Sequence, residues 1–178
     1  NMHQGWPKFA QNLWYASADG GLAAFVYAPS TVTAKVAGGI EVSLKQETFY
    51  PFDETVQVTV DFTSRKVKKA EFPLYFRVPQ WCSQAEVKVN GVNVNCLSKA
   101  GETVRISREW KKGDVVTLTF PMEVRISHWY DGATVVERGP LVYALRMEEK
   151  WEKFEFEASY EGKYGPYYYT CVSDTPWN

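Results

Sequence analysis

The chain has 178 residues and a formal net charge of −1, with 45% hydrophobic and 23% charged residues, which is an ordinary globular composition. The near-neutral charge excludes the basic excess typical of nucleic-acid-binding proteins, and no run of about eighteen apolar residues is present to span a bilayer. We therefore expect neither nucleic acid nor membrane as a partner, and one domain with a substantial core.

Aromatic residues are unusually frequent, at 7 Trp, 11 Tyr and 10 Phe, or 16% of the chain. Aromatic side chains are favoured in strands and cores, and their faces also stack on flat ligands. A β-rich core is the simpler explanation for most of them. The alternative explanation, for a few of these residues, is that their rings face a bound carbohydrate.

The chain has three cysteines, Cys82, Cys96 and Cys171, and two histidines, His3 and His128. Because these ligand types are few and widely spaced, without a C-x-x-C pair, they do not complete a zinc site within this chain. A Cys82–Cys96 disulfide and free thiols are equally compatible with the spacing, which leaves the compartment open. We assign no catalytic residue, metal ligand or cofactor to this chain.

The N-terminus follows a helical pattern that the rest of the chain lacks. Apolar residues recur there at spacings of three and four, at Met2, Trp6, Phe9 and Leu13. The pattern predicts a short helix over Pro7–Ala16, since proline suits the first turn. We interpret residues 1–16 as a remnant of a preceding α-helical domain and residues 17–178 as a β domain, so that the chain is expected to be a fragment of a larger protein.

From Leu22 onward the apolar pattern has the period of two that is typical of strands. Gly38-Gly39 and Asn90-Gly91 predict tight hairpin turns, because both pairs tolerate positive φ. Strands recur about every ten residues, which indicates an all-β sandwich or barrel. The predicted strand regions are 22–28, 31–37, 40–48, 56–62, 72–78, 87–89, 92–94, 104–106 and 116–120.

Two further strand-like runs lie within Thr134–Met147 and are separated by Gly139-Pro140. Proline lacks the backbone N–H that a strand donates to its neighbour, and glycine adopts a wider range of φ, so a kink is expected there. Glu137 and Arg138 are adjacent at the end of the first run, where we predict a structural ion pair between them.

Candidate catalytic groups are sparse in this sequence. Glycoside hydrolysis commonly needs two facing carboxylates, for which the candidates are Glu47, Asp53, Asp131 and Glu137. The sequence has no G-x-S-x-G elbow and no glycine-rich phosphate loop. His128 lies in a strand-like stretch and is predicted to be a surface residue.

Two aromatic stretches are candidate carbohydrate contacts because tryptophan and tyrosine rings stack on sugars. The first contains Trp129 and Tyr130, and the second contains Tyr167 and Tyr168, followed by Tyr169. Two or three coplanar exposed rings would be expected if the chain were a carbohydrate-binding module.

Several short motifs, in this order, resemble the C-terminal part of glycoside hydrolase family 127, which includes β-L-arabinofuranosidases. The resemblance covers nearly the whole chain. The motifs begin at Asn1 (NMHQGWPK), Gly21 (GLAAFVYAPS), Glu47 (ETFYP), Phe76 (FRVPQWC), Val87 (VKVNG) and Glu137 (ERGPLVY).

The resemblance implies a catalytic (α/α)6-barrel followed by antiparallel β-sandwich domains of jelly-roll type. It also implies a cysteine nucleophile with zinc in the barrel, at a paired-cysteine motif just before the position of Asn1. None of Cys82, Cys96 and Cys171 matches that motif. His3, Gln4 and Trp6 follow it and are expected to line the substrate cleft or pack beneath it.

Three hypotheses follow for this chain. The first is a non-catalytic β-sandwich that packs on and supports its own barrel, whose protein acts on plant-type glycans. The second is a carbohydrate-binding module, and the third is an interaction domain with an apolar patch beside the N-terminal helix. A bacterial periplasmic or extracellular location is compatible with all three.

Overall fold

The computed structural model describes residues 2–96, 98–146, 148–155 and 167–172, most of which form β-structure. The chain divides into two compact units, Asn1–Val142 and Tyr143–Asn178. Within the described residues, no helix is long and apolar enough to cross a membrane. Because most of the described residues form strands, the predicted all-β fold is confirmed.

The N-terminal helix is shorter than the sequence predicts. A 3₁₀ turn over Met2–Gln4 leads into α1 (Gly5–Gln11), which ends where Asn12 leaves helical geometry at φ −108° and ψ 19°. The predicted extension to Ala16 is wrong because β1 (Trp14–Ala16) pairs antiparallel with β2 (Leu22–Ala24). Strand pairing with β2 thus overrides the helical spacing of the apolar residues.

The first sheet of the large unit has four strands in the order β1-β2-β6-β9. Its two long strands are β6 (Lys69–Arg77) and β9 (Thr103–Lys111), which pair antiparallel. The pairing of β2 with β6 is parallel, so the predicted antiparallel arrangement fails there. The region 22–28, predicted as one strand, is regular only over β2.

The second sheet has six antiparallel strands in the order β3-β4-β5-β10-β7-β8. The strands are β3 (Ser30–Val36), β4 (Ile40–Thr48), β5 (Thr55–Phe62), β7 (Glu86–Val89), β8 (Val92–Asn93) and β10 (Val115–Thr119). Both predicted hairpin turns form. Gly38 and Gly39 have φ values of 74° and 134°, and Asn90 and Gly91 have φ values of 51° and 79°.

The two sheets bury one continuous core between them. Alternate residues of each strand point inward, as in β5, where the four residues Val56, Val58, Val60 and Phe62 are all buried. Trp110 is fully buried, and its indole Nε1 donates a hydrogen bond of 2.8 Å to the carbonyl oxygen of Phe72. This is the packing of a β-sandwich; its jelly-roll connectivity stays a prediction.

A three-stranded sheet follows, in the order β11 (Val124–His128), β12 (Thr134–Arg138) and β13 (Leu141–Tyr143). The small unit contains β14 (Lys150–Glu155), which pairs antiparallel with β15 (Tyr167–Val172). Cys82, Cys96 and Cys171 are free thiols, so the Cys82–Cys96 disulfide is absent from the structure.

Arg138 does not pair with its neighbour Glu137, as the sequence suggested. Successive residues of a strand point to opposite faces, and this separates the two side chains. The Nη2 atom of Arg138 instead lies 3.0 Å from Oε1 of Glu54, in the loop between β4 and β5.

Candidate functional site

The residues around α1 present aromatic side chains to solvent. Trp6 and Phe9 are 72% and 43% exposed, and no residue of α1 is buried. Their rings meet edge to face at 6.2 Å between centroids. In β1 and just after β2, Tyr15 and half-buried Phe25 form a second pair at 5.8 Å. We call these four residues the N-terminal aromatic surface.

The side chain of Asn12 connects α1 with Tyr15 in this surface. Its Nδ2 donates to the carbonyl oxygen of Lys8 at 2.6 Å, while its Oδ1 accepts a hydrogen bond of 2.7 Å from the hydroxyl of Tyr15. The side chain thus satisfies a carbonyl at the end of α1 and ties the helix to the first strand. The aromatic surface is therefore held to the sandwich by specific polar contacts.

A polar cluster anchors the turn between β1 and β2 on the same sheet. The carboxylate of Asp19 accepts hydrogen bonds from the hydroxyls of Ser17 at 2.6 Å and Tyr75 at 2.5 Å, and it lies 3.3 Å from Nη2 of Arg105. Nε of Arg105 also donates to the Tyr75 hydroxyl at 2.9 Å. The hydrogen bonds from Ser17 and Tyr75 lower the pKa of Asp19 from 3.8 to about 2.

Strand register places this cluster beside the aromatic surface. Tyr15 lies opposite Ala23, Ala23 opposite Tyr75, and Tyr75 opposite Arg105, in one row across the outer face of the four-stranded sheet. Local sequence patterns do not predict this row, because its members come from four strands spread over residues 15–105. Only strand pairing reveals it.

The three residues predicted to contact the substrate cleft lie at the start of this region. His3 and Gln4 belong to the 3₁₀ turn, Trp6 belongs to α1, and all three are exposed. The structure therefore places them together on a short segment that leads into the sandwich. Their role at a cleft stays a prediction.

Trp129 and Tyr130 are displayed at the turn between β11 and β12. The backbone N–H of Trp129 donates to the carbonyl oxygen of Ala133 at 2.8 Å, and its indole Nε1 donates to Oγ of Ser127 at 3.0 Å. Asp131 in this turn has a φ of 57°. The two aromatic residues are 67% and 94% exposed, so an ordered turn holds both in solvent.

Tyr167 and Tyr168 lie in β15 of the small unit and already have contacts within the chain. The ring of Tyr168 stacks on Phe154 at 5.3 Å and 18°, and Nζ of Lys153 lies 3.3 Å from the ring centroid of Tyr167. As successive strand residues they point to opposite faces, so they do not form one coplanar platform.

Two of the four candidate carboxylates have contacts with neighbouring residues. Glu47 forms an exposed ion pair with Lys45 at 2.7 Å, and Oδ1 of Asp53 accepts the backbone N–H of Glu54 at 2.6 Å. Asp131 belongs to the exposed turn after β11, and Glu137 lies in β12. His128 is exposed, as predicted, in β11.

Potential metal ligands are scattered in the described part of the chain, where no group of three or more His, Cys, Asp or Glu side chains is close enough to hold an ion. Burial raises the pKa values of the Cys82 and Cys96 thiols. Neither thiol is therefore in a setting that favours the reactive thiolate.

Comparison with known proteins gives a consistent assignment. The β-L-arabinofuranosidase GH127 middle-domain model matches residues 21–122, more than half of the chain. A solved glycoside hydrolase is 38% identical with a TM-score of 0.64, over 75% of this chain and 22% of that chain. None of the curated proteins matches.

Two solved GH127 enzymes are also similar. A β-L-arabinofuranosidase from Geobacillus stearothermophilus T6 is 27% identical with a TM-score of 0.66, over 90% of this chain and 31% of that chain. A GH127 β-arabinofuranosidase, 22% identical with a TM-score of 0.61 over 88% of this chain and 32% of that one, shares the fold. The chain thus spans less than a third of the length of the 38% identical glycoside hydrolase and of the Geobacillus stearothermophilus enzyme. It belongs to glycoside hydrolase family 127 and contains the middle domain of that family.

Proposed function

We propose that this chain is a non-catalytic β-sandwich part of a β-L-arabinofuranosidase-like enzyme and supports the catalytic (α/α)6-barrel by packing against it. The observation that carries the proposal is the N-terminal aromatic surface, in which Trp6 and Phe9 extend from a helix without a single buried residue. Large exposed apolar side chains in one place are typical of interaction sites. Their natural partner is the preceding helical domain, to which the helical segment up to Gln11 would belong.

The chemistry of the described residues fits the proposed non-catalytic role. A zinc-bound thiolate nucleophile needs several ligands to converge, whereas Cys82 is buried in the core and Cys96 lies apart from other ligands. Zinc and the nucleophile would belong to the barrel. His3, Gln4 and Trp6 would reach its substrate cleft from one side.

The carboxylates of the chain also have other roles. Glu54 binds Arg138, Asp19 holds the turn before β2, and Glu47 pairs with Lys45 at the surface. These contacts stabilise the sandwich, and none of them requires a substrate.

An activity assay tests the non-catalytic role. The purified chain is incubated with an aryl β-L-arabinofuranoside and zinc, beside a family 127 enzyme that carries its barrel. We expect release of the aryl group by the enzyme and none by the chain. Zinc-dependent turnover by the chain alone, lost on chelation, would overturn the proposal.

Carbohydrate binding is the second candidate function, and the turn after β11 favours it. Trp129 and Tyr130 are the most exposed neighbouring aromatic pair on an ordered turn, and such rings stack on sugars. Calorimetry of the chain against arabinan, with Trp129→Ala as the control variant, tests this candidate. Binding that Trp129→Ala abolishes would support it, and no heat at millimolar sugar would exclude it.

A further inference from the structure

Positive charge is concentrated at one end of the sandwich, although the whole chain has a net charge of −1. Four cationic residues lie within the five positions 65–69 after β5, and all four are exposed: Arg65, Lys66, Lys68 and Lys69. Lys69 lies directly opposite Lys111 in the β6–β9 pair.

Hydrogen bonds bring the turn between β9 and β10 to the same end. The N–H of Gly113 donates to the carbonyl oxygen of Val60 at 2.8 Å, and the N–H of Val60 donates to the carbonyl oxygen of Asp114 at 2.9 Å. This places Lys112 beside the loop that follows β5. The loop itself is ordered, because the N–H of Val67 donates to the carbonyl oxygen of Ser64 at 3.1 Å.

A pocket of about 190 Å³ lies between the loop and the turn. Three cationic side chains and one hydroxyl line it above an apolar floor, and we call it the basic pocket. Its lining residues are Phe62, Ser64, Arg65, Val67, Lys68 and Lys112.

Part of this charge is already neutralised. Nζ of Lys112 lies 3.0 Å from Asp61, and Nζ of Lys69 lies 2.8 Å from Glu109. Arg108 lies 3.9 Å from Asp114. Glu41 and Glu71 also lie near this end, in β4 and β6.

Three cations are left over. Within the described residues, no acidic side chain forms an ion pair with Arg65, Lys66 or Lys68. These three side chains are therefore available for an anion outside the chain.

Lys69, which follows the pocket residue Lys68, lies far along the sheet from β1, the first strand after α1. In the strand register, Trp14 of β1 lies opposite Ala24, and Ala24 lies opposite Phe76. Phe76 is seven residues along β6 from Lys69. At about 3.3 Å per residue, that separation is roughly 23 Å. A barrel packed on the N-terminal aromatic surface would leave the pocket accessible.

We propose that the basic pocket binds the carboxylate groups of an acidic, uronic-acid-containing polysaccharide. The unpaired Arg65 guanidinium and Lys68 ammonium line the pocket, and Lys66 lies between them in the same loop. These cations suit carboxylates, to which a guanidinium donates in bidentate geometry. The chain belongs to a glycoside hydrolase family, and among glycans it is those with uronic acids that present rows of carboxylates. Single-stranded nucleic acid calls for exposed stacking rings, but the ring in this pocket, Phe62, is only 6% exposed.

Calorimetry with two polymers of the same backbone tests this site. The chain is titrated with polygalacturonate and with its fully methyl-esterified form, which lacks the charge. We expect binding to polygalacturonate alone, weakening steeply as NaCl is raised, because exposed ion pairs are screened by salt. Equal binding of the two polymers would overturn the proposal.

A charge-neutralising variant locates the site. In Arg65→Gln/Lys66→Gln/Lys68→Gln we expect affinity to fall roughly tenfold or more, since each lost exposed ion pair contributes up to about 1 kcal/mol. The Tm should stay unchanged because all three side chains are exposed. Unchanged affinity would overturn the assignment to this pocket.

The matched control is Lys45→Gln/Lys88→Gln/Lys99→Gln, which has the same net charge but leaves the basic pocket intact. It should bind polygalacturonate within about twofold of the wild type. A loss as large as that of the pocket variant would mean that net charge, and not this site, determines binding. Tighter binding to single-stranded DNA or to phosphatidylserine vesicles than to polygalacturonate would overturn the assignment to a glycan.

Discussion

Arg138 and Glu54 form an ion pair at 3.0 Å although 84 positions separate them in the chain. The same carboxylate oxygen of Glu54 accepts the backbone N–H of Met122 at 3.0 Å. Both side chains of the pair are about 30% exposed, so water screens the contact only in part. Glu54 thus joins the loop after β4 to the segment where the sandwich passes into the three-stranded sheet.

Glu54→Ala should destabilise the chain by about 1–3 kcal/mol, because it leaves the Met122 N–H and the Arg138 guanidinium without their acceptor. Urea denaturation followed by circular dichroism measures the free energy of unfolding. The matched control is Glu47→Ala, which removes an exposed pair with Lys45 and should cost about 0.5 kcal/mol or less. Equal effects of the two substitutions would contradict the bridging role of Glu54.

Gly21→Ala should destabilise the sandwich by about 2 kcal/mol or more. A Cβ at this position would overlap the carbonyl oxygen and side chain of Pro73 in the parallel pairing of β2 with β6, and a packed core resists added atoms. Gly5→Ala is the control, because a Cβ on Gly5 meets nothing within 4 Å. It should change stability by less than about 1 kcal/mol. Similar melting temperatures for both variants would refute the close approach of β2 and β6.

The ionised form of Asp19 should contribute stability that acid removes. Its pKa is lowered from 3.8 to about 2 in the fold, so between these values the unfolded chain binds more protons and stability rises with pH. The contribution is present above about pH 4 and disappears as the pH falls through about 2. The free-energy difference between wild type and Asp19→Asn should therefore shrink in this window. A difference that is constant from pH 5 to 2 would contradict the prediction.

Tyr75→Phe tests the cause of this pKa shift. It removes a hydroxyl that donates to Asp19 and accepts from Arg105, so the pKa of Asp19 should move upward toward its ordinary value. Carboxyl chemical shifts followed by NMR through an acid titration measure this pKa. Tyr15→Phe is the control, because that hydroxyl donates to Asn12, and it should leave the Asp19 titration unchanged.

Local patterns predict most strands of the large unit because their determinants are short-range. Val56 to Phe62 alternate along β5, and Asn90-Gly91 closes the turn from β7 to β8. The same reasoning extends α1 too far. The spacing from Trp6 to Leu13 is helical, but Trp14–Ala16 gains strand partners that local sequence does not reveal.

Side-chain partners across the sandwich are harder to predict than strands. Adjacency in the sequence suggested Glu137 for Arg138, whereas alternation along β12 separates the two and tertiary packing supplies Glu54. Tyr167 and Tyr168 are likewise neighbours in sequence but belong to opposite faces of β15. The row from Tyr15 to Arg105 depends on the register of four strands.

The most direct test of the supporting role is the thermal stability of Trp6→Ser/Phe9→Ser in two settings. One is this chain alone, and the other is a family 127 protein that carries the chain together with its barrel. In the chain alone, both side chains are exposed, so the Tm should stay within about 1 °C of the wild type. In the larger protein, burial of the two rings against the barrel should make the loss exceed about 3 °C. An unchanged Tm in the larger protein would contradict packing through this surface.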